Sequence, residues 1–302
     1  MMQLTILGCH SATPRENKHT TSQLLEMSGH LFLIDCGEGT QVQLRLSKIK
    51  FSRIKHIFIS HLHGDHFFGL VGLISTFKLL TREADLHIYG PKGLKEIITL
   101  QMKLSESWTN YKLIFHELSS KGSECIFEDD KVQVYTVPLK HRIYTNGFLF
   151  KEKNYHRKLN ITAIEEAKID MSYYSKLQQG KDVINEDGIL INNEKVTFQG
   201  KKPLSYAFCS DTMFDESIVP MIANVHVLYH ESTFLEKHAK LAISTKHSTA
   251  KQAARIAKQA DVKKLIIGHY STRYGSIDEF KLEAKEIFEN VALARDGKVF
   301  EF

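Results

Sequence analysis

The sequence His61-Leu62-His63-Gly64-Asp65-His66 places three imidazoles and one carboxylate within six positions. The segment before it, residues 54–60, is rich in isoleucine and is predicted to form a strand. At an extended strand end, His61 and His63 point to the same side, whereas Asp65 and His66 diverge where the chain turns. Because the chain has only 16 histidines among 302 residues, a solvated polar loop is the weaker interpretation. The stretch predicts a site for two metal ions rather than one.

Length and composition predict one large domain, residues 1–302, that carries an insertion. The hydrophobic fraction of 42% and the charged fraction of 25% are ordinary for a globular protein and exclude a mostly disordered chain. The net charge of +5 allows a polyanionic partner without requiring one. The cysteines form no CxxC pair, so we expect reduced thiols in a cytoplasmic protein. We expect neither a signal peptide nor a membrane span.

Strands alternate with helices along most of the chain, which predicts an α/β fold. The predicted strands are 3–7, 22–27, 30–34, 54–60, 85–89, 112–117, 131–138, 147–150, 204–209, 225–229 and 264–268. The predicted helices are 41–47, 69–80, 91–102, 163–169, 249–260 and 278–292. Residues 151–202 differ in character, because they are polar and open with Lys151, Lys153, Arg157 and Lys158. This stretch is predicted to be an inserted arm.

Polar residues follow three further predicted strands, namely His141, Asp211 and His269. A single polar residue after a strand is typical of an ordinary turn. Here the same placement occurs three times, and α/β proteins build their sites from residues at strand ends, so we interpret the three residues as parts of one site. One metal ion could take three imidazoles, and a second could take two imidazoles and a carboxylate, with a further carboxylate bridging. The first set is His61, His63 and His141; the second is His66, His269 and Asp65; the bridge is Asp211.

Imidazole and carboxylate ligands without thiolate suit Zn²⁺, and they do not exclude Mn²⁺ or Fe. A pair of such ions can activate water and stabilise both oxygens of a displacement at phosphorus. Hydrolysis of a phosphodiester is therefore a natural use of the predicted site.

Residues outside the ligand set could assist this chemistry. His247 precedes the predicted helix 249–260, where Ser248 or Thr249 is a plausible N-cap. We interpret His247 either as polarity at a helix start or as a general acid for the departing oxygen. Glu231 could orient that imidazole, or it could hold a metal ligand instead.

Two other segments are predicted to contribute. Asp35 could fix the tautomer of a ligand imidazole or close a tight turn. Ser271 and Arg273 follow His269 and offer a hydroxyl and a guanidinium suited to phosphate, although a surface turn is the alternative.

The motifs taken together resemble a known family. The stretch HLHGDH is similar to the signature of the metallo-β-lactamase superfamily, and the remaining motifs narrow the resemblance to the tRNase Z family. Those motifs are DCGEGTQ (35–41), PLKH (138–141), SDT (210–212), HEST (230–233), HST (247–249) and GHYSTRY (268–274). They occur in the family's order over nearly the whole chain.

The resemblance implies an αββα four-layer sandwich, a homodimer, and cleavage of precursor tRNA after the discriminator nucleotide. It also implies two Zn²⁺ per subunit, bound by His61, His63, Asp65, His66, His141, Asp211 and His269. In the family pattern, Asp65 helps to activate the water and His247 assists the leaving group. Residues 151–202 take the place of the family's protruding arm, but they lack its Gly-Pro pair.

Two other functions remain open from the residues alone. The same metal ions could support a phosphodiesterase that acts on small diesters. A non-catalytic RNA-binding dimer with structural metal ions is the third hypothesis.

Overall fold

The computed structural model describes residues 2–153, 157–200 and 202–302. The chain divides into a larger unit, Met1–Lys151 with Ser205–Phe302, and a smaller unit, Glu152–Leu204. Among the described residues, no helix combines the length and the apolar character needed to cross a membrane.

The strands alternate with helices as the sequence predicts, and further short strands appear. The strands are β1 (Met2–Gly8), β2 (Ser22–Met27), β3 (His30–Ile34), β4 (Ile54–Phe58), β5 (Leu86–Pro91), β6 (Leu113–Leu118), β7 (Cys125–Glu128), β8 (Val132–Leu139), β9 (Thr145–Glu152), β10 (Lys158–Leu159), β11 (Val183–Ile184), β12 (Leu190–Ile191), β13 (Thr197–Phe198), β14 (Ser205–Cys209), β15 (Val227–Glu231), β16 (Lys264–Gly268), β17 (Val291–Leu293) and β18 (Val299–Glu301).

The helices are mostly short. They are α1 (Thr40–Leu46), α2 (Gly64–Phe67), α3 (Leu70–Leu79), α4 (Leu94–Leu104), α5 (Ile161–Glu166), α6 (Tyr174–Gln178), α7 (Asn193–Val196), α8 (Ala239–Thr245), α9 (Ala250–Gln259) and α10 (Asp278–Lys285).

Two sheets form the centre of the larger unit. The first has the order β18-β1-β2-β3-β4-β5-β6, and the second has the order β17-β16-β15-β14-β9-β8-β7. Strands β3 to β6 are parallel to one another, and so are β14 to β17. Parallel strands end at the same edge of a sheet, so the residues that follow them are brought together.

Aromatic side chains fill the space between the two sheets. Phe58 of β4 lies 5.4 Å from Phe148 and 5.3 Å from Phe150 of β9, measured between ring centroids. On the outer face of the first sheet, α3 and α4 bury Leu73 and Ile98 in an apolar cluster. On the second sheet, α9 packs against β15 and β16. The predicted α/β class and the αββα layering are therefore confirmed.

One predicted helix is wrong in its second half. The helix predicted over 278–292 ends at Lys285, and Val291–Leu293 forms β17, which pairs in parallel with β16. The helical pattern of this segment does not decide its structure, because the free edge of β16 offers hydrogen bonds along the whole strand. The helix predicted from residue 91 likewise begins only at Leu94, since Pro91 completes β5.

The smaller unit, Glu152–Leu204, has a core of its own, while the predicted arm spans 151–202. Residues 154–156 and 201 of that arm lie outside the described part of the chain. The core side chains are Ile164, Ile169, Leu177, Val183 and Val196. Asn193 supports it from within, because its side-chain amide donates to the backbone oxygen of Leu177 at 2.7 Å. The unit is therefore a packed structure rather than an extended loop.

The loop after β1 is held by one carboxylate near the C-terminus. Asp296 Oδ1 accepts hydrogen bonds from the backbone N–H of Cys9 at 3.1 Å and from its thiol at 3.3 Å. Asp296 Oδ2 accepts from the backbone N–H of His19 at 2.7 Å and lies 3.0 Å from His19 Nδ1. Both ends of the loop are thus joined to the same side chain.

We expect Asp296→Asn to lower the free energy of unfolding by about 2 kcal/mol. The asparagine amide would point N–H groups at donors of Cys9 or His19 from which the carboxylate now accepts hydrogen bonds. Chemical denaturation measures this change. The matched control is Asp130→Asn, since Asp130 is exposed. Equal stability of the two variants would contradict this role for Asp296.

Candidate metal centre

Three residues at strand ends adopt the left-handed backbone conformation. Asp35 follows β3 with a φ of 56°, Asp211 follows β14 with a φ of 56°, and His269 follows β16 with a φ of 63°. Aspartate and histidine tolerate this region better than most residues, and such conformations concentrate at functional sites. The turn bends the chain sharply after each strand and leaves a polar side chain at the sheet edge.

A first group of ligand atoms comprises three imidazoles and one carboxylate oxygen. His63 Nδ1 lies 3.0 Å from His61 Nε2 and 3.2 Å from His141 Nε2. Asp211 Oδ2 lies 3.6 Å from His61 Nε2 and 3.8 Å from His141 Nε2. These four atoms are close enough to share one ion.

A second group lies on the other side of the same aspartate. Asp211 Oδ1 is 3.1 Å from His66 Nε2 and 3.1 Å from His269 Nε2. Asp65 Oδ2 is 3.5 Å from His66 Nε2 and 3.6 Å from His269 Nε2. Because the two oxygens of Asp211 face different groups, this side chain can bridge two ions. The structure thus brings together all seven residues of the predicted ligand set.

The electrostatics of the cluster fit cations. Asp35, Asp65 and Asp211 are buried or nearly so, and His66 is fully buried among them. Burial lowers the pKa of His66, but the charges of Asp211, Asp65 and Asp35 outweigh that effect and raise its pKa well above the usual value. The Nε2 atoms of His66 and His269 are buried, and although Asp211 Oδ1 lies 3.1 Å from each, neither nitrogen makes a hydrogen bond of good geometry within the described residues. Divalent cations would satisfy both the carboxylates and these nitrogens.

Hydrogen bonds behind the ligands fix their orientation. Asp35 Oδ2 lies 2.7 Å from His66 Nδ1, while its carboxylate also accepts from the backbone N–H and the hydroxyl of Ser60. Asp35 therefore contacts a candidate ligand imidazole, in agreement with the interpretation that it fixes the tautomer of such a ring. The backbone N–H of Ala12 donates to Asp65 Oδ2 at 2.8 Å. Such contacts hold a ligand ring or carboxylate in one orientation.

His247 and Glu231 form a buried pair beside the ligands. Glu231 Oε1 lies 2.7 Å from His247 Nδ1, and the ring of His247 stacks on that of His269 at a centroid distance of 5.4 Å. Burial lowers the pKa of His247, but the charge and hydrogen bond of Glu231 outweigh it and raise the pKa to about 9. The imidazole is therefore protonated at neutral pH, with Nε2 left as the nitrogen that Glu231 does not engage.

Glu231 reaches a metal-ligand candidate as well. Its Oε2 accepts from the hydroxyl of Thr233 at 2.6 Å, and that hydroxyl oxygen lies 2.8 Å from His269 Nδ1. The two interpretations of Glu231 are thus compatible, because the carboxylate contacts His247 directly and His269 through Thr233.

The start of α9 positions His247. Thr249 is the N-cap, and its hydroxyl accepts from the backbone N–H of Gln252 while the Gln252 side chain accepts from the backbone N–H of Thr249. Ser248 donates from its hydroxyl to the backbone oxygen of Thr212 at 2.7 Å. These bonds fix the two residues that follow His247, so that its ring is held against the ligand cluster.

A cleft of about 540 Å³ opens over the cluster. Ser271 lines it, but Arg273 is not among its lining residues. Two residues that the sequence analysis missed do line it, namely Arg142 and Phe68. Neither belongs to a spacing pattern. Arg142 directly follows His141 and Phe68 lies two positions after His66, so closeness to a motif is the signal that could have found them.

The cations predicted for the arm have different environments. Lys151 belongs to the larger unit, where its Nζ lies 5.5 Å from the ring centroid of Tyr135. In the smaller unit, Arg157 Nε donates to the hydroxyl of Thr197 at 2.7 Å, Lys153 is half-buried, and Lys158 is exposed. Arg157 therefore stabilises the fold of its own unit.

A family model described as Anti-Pycsar protein Apyc1 matches residues 2–187. The match includes the stretch 61–66 and His141, and it ends before Asp211, His247 and His269. It therefore covers β1 to β6 of the first sheet and only part of the ligand set.

Other similarities extend over the whole chain. Ribonuclease Z of Bacteroides fragilis is 45% identical and covers 98% of this chain and 97% of its own length. The crystal structure of human tRNase Z, short form (ELAC1), is 28% identical, covers 99% of this chain and 98% of its own, and has a TM-score of 0.73. The metallo-beta-lactamase fold protein YhfI from Bacillus subtilis has a TM-score of 0.70 over 100% of this chain and 99% of its own, and at 19% identity it shows the fold alone. The chain also matches the Apyc1 model over part of its length. The similarity to Ribonuclease Z extends over both sheets, the smaller unit and the positions of all candidate ligands, so the chain belongs to the ribonuclease Z family.

Proposed function

We propose that this protein is a zinc-dependent endoribonuclease that removes the 3′ trailer from precursor tRNA and leaves a tRNA 3′-hydroxyl. The observation that carries the proposal is the arrangement of two ligand groups around Asp211, with the His247–Glu231 pair beside them. Two ligand groups joined by a carboxylate are suited to displacement at phosphorus. The membership of the ribonuclease Z family selects precursor tRNA from among the possible phosphodiesters.

Two Zn²⁺ would bind, one held by His61, His63 and His141 and the other by Asp65, His66 and His269, and Asp211 would be shared between them. When bound, they supply water activation and neutralise charge that develops on the phosphate. Asp65 helps to activate the attacking water, and the backbone N–H of Ala12 holds one of its carboxylate oxygens in place.

His247 donates a proton to the departing 3′ oxygen. Its pKa of about 9 keeps the ring protonated at neutral pH, and Glu231 stabilises that charge. Arg142 and Ser271 line the cleft and contact the phosphate groups of the substrate, because a guanidinium and a hydroxyl are donors suited to phosphate oxygens. Arg273 contacts a phosphate farther from the cleavage site.

The smaller unit is the part of the protein that binds the body of the tRNA. Lys153 and Lys158 of this unit, together with Lys151 just before it in the sequence, supply cations for phosphate contacts, and Arg157 supports the unit internally. We also propose a cytoplasmic homodimer in which the arm of one subunit grips the tRNA that the partner subunit cleaves.

A phosphodiesterase acting on small diesters is the second candidate function. The cleft of about 540 Å³ favours it, since this volume is typical of sites for small molecules. The two functions differ in whether the smaller unit is needed for activity.

The decisive assay incubates the metal-loaded protein with a 3′-extended precursor tRNA and, separately, with a chromogenic diester. We expect release of a 5′-phosphorylated trailer, complete loss of cleavage after chelation, and recovery with Zn²⁺. Elemental analysis should give two zinc ions per chain and about one in His141→Ala, because that variant removes a ligand of one group only. Failure of the loaded protein to cut precursor tRNA would rule out the proposed function.

We expect His247→Ala to lower kcat on precursor tRNA by roughly 10²- to 10⁴-fold, since the 3′ oxygen must be protonated as it leaves. A diester with a 4-nitrophenolate leaving group needs no such proton and serves as the internal control. Its hydrolysis should fall far less in the same variant, at unchanged zinc content. Equal losses on both substrates would contradict the role of His247 as general acid.

The cations of the arm region should make the affinity for tRNA depend on salt concentration, because each contacts a phosphate. We expect the double variant Lys151→Ala with Lys158→Ala to reduce the slope of log Kd against log salt concentration by about two, because each lysine contributes roughly one phosphate contact. Binding is measured by titration with labelled precursor tRNA. The matched control is Lys168→Ala, whose ammonium pairs with Asp187 at 3.1 Å. An unchanged slope and full tRNA cleavage in the double variant would favour the small-diester function.

A further inference from the structure

Phe68 is an exposed aromatic side chain beside the ligand cluster. It follows α2 directly, its side chain lines the cleft, and it is 62% exposed. Its neighbour Phe67 is buried in the apolar core of the first sheet. A large exposed ring in a cleft otherwise lined mainly by small, polar and charged residues calls for an explanation beyond packing.

The ring of Phe68 rests on the backbone of the ligand stretch. A Cβ placed on Gly64 would lie 2.1 Å from Phe68 Cε2 and 2.5 Å from both Cδ2 and Cζ, so any side chain at position 64 would displace the ring from this place. The edge of the Phe67 ring, 5.1 Å away between centroids, supports it from one side. The ring is therefore held against the backbone between two ligands, His63 and Asp65, while much of its surface stays open to the cleft.

The rest of the cleft indicates what this ring would contact. Arg142 lines the same cleft, and its guanidinium makes no ion pair with any described residue. The guanidinium is close enough to influence the charge of both His63 and His247. A ligand that offers an anion to the guanidinium and a flat aromatic face to the phenyl ring is a nucleotide.

We propose that Phe68 is a stacking platform for the nucleobase of a nucleotide next to the scissile phosphate. The inference rests on the proposed function and deepens it, because it assigns one base of the RNA to one side chain. An aromatic face accepts any base, so Phe68 positions the strand without selecting its sequence. Because the ring lies against the backbone between His63 and Asp65, the platform aligns the scissile phosphate with the attacking water and with His247, which protonates the departing 3′ oxygen.

The test is a double-mutant cycle between the ring and the base. Precursor tRNAs are prepared with an abasic nucleotide at one or the other of the two positions that flank the scissile bond. We expect Phe68→Ala to lower kcat/KM on the intact precursor by roughly 5- to 150-fold, the range for loss of one stacked base. On the precursor that lacks the stacked base, wild type and Phe68→Ala should differ by less than about twofold. Phe68→Tyr and Phe68→Trp should retain activity on the intact precursor, since both keep an aromatic face.

Controls separate stacking from structure. Trp108→Ala removes another exposed aromatic ring, one that does not line the cleft, and should leave kcat/KM unchanged. Zinc content, melting temperature and oligomeric state are measured for each variant. If Phe68→Ala lowered kcat/KM equally on the intact and on both abasic precursors, the stacking role would be overturned. It would also be overturned if the variant lost activity only because its oligomeric state had changed. Wild type that fails to cleave intact precursor would overturn the proposed function together with the platform, whereas cleavage without coupling would overturn the platform alone.

Discussion

The buried carboxylates of the ligand cluster are the constraint on which the rest of the structure depends. Removing Asp35, Asp65 and Asp211 from water is costly unless each is surrounded by donors or cations. Imidazoles delivered by both sheets supply those partners, which requires the edges of the two sheets to meet at one place. The left-handed turns at Asp35, Asp211 and His269 follow from the same requirement, because they place polar side chains at the ends of buried strands.

Much of the site could be predicted because its signals are local. Three imidazoles and a carboxylate lie within residues 61–66, and the spacing alone separates them into two directions. His141, Asp211 and His269 each follow a strand, so a recurring position along the chain indicates a common place in the fold. The pairing of β3 with β4 and of β14 with β15 and β16 then brings these residues together. Fold class and candidate ligands thus depend on patterns that are visible without coordinates.

The remaining features depend on contacts between distant segments, which no local pattern records. Residues 291–293 form a strand because β16 has a free edge, not because of their own composition. Phe68 acquires its position from the absence of a side chain at Gly64, and the two residues carry no distinctive spacing. Arg142 belongs to no recognisable motif, and only its place in the lining of the cleft indicates that it could contact a substrate. The alternatives for Glu231 could not be separated either, since its neighbours come from different strands and loops.

Glu231 shows why the acid and the metal ligands cannot be treated as independent parts. Its carboxylate is fully buried and accepts from the backbone N–H groups of Thr212 and Thr233, so its position is fixed by the chain itself. One oxygen orients His247 and stabilises its protonated form. The other accepts from the Thr233 hydroxyl, whose oxygen lies next to His269 Nδ1. A shift of this one side chain would therefore move both the proposed proton donor, His247, and the candidate metal ligand His269. The stretch 61–66 supplies most of the candidate ligands, and the network around Glu231 joins one further candidate ligand, His269, to His247 by hydrogen bonds.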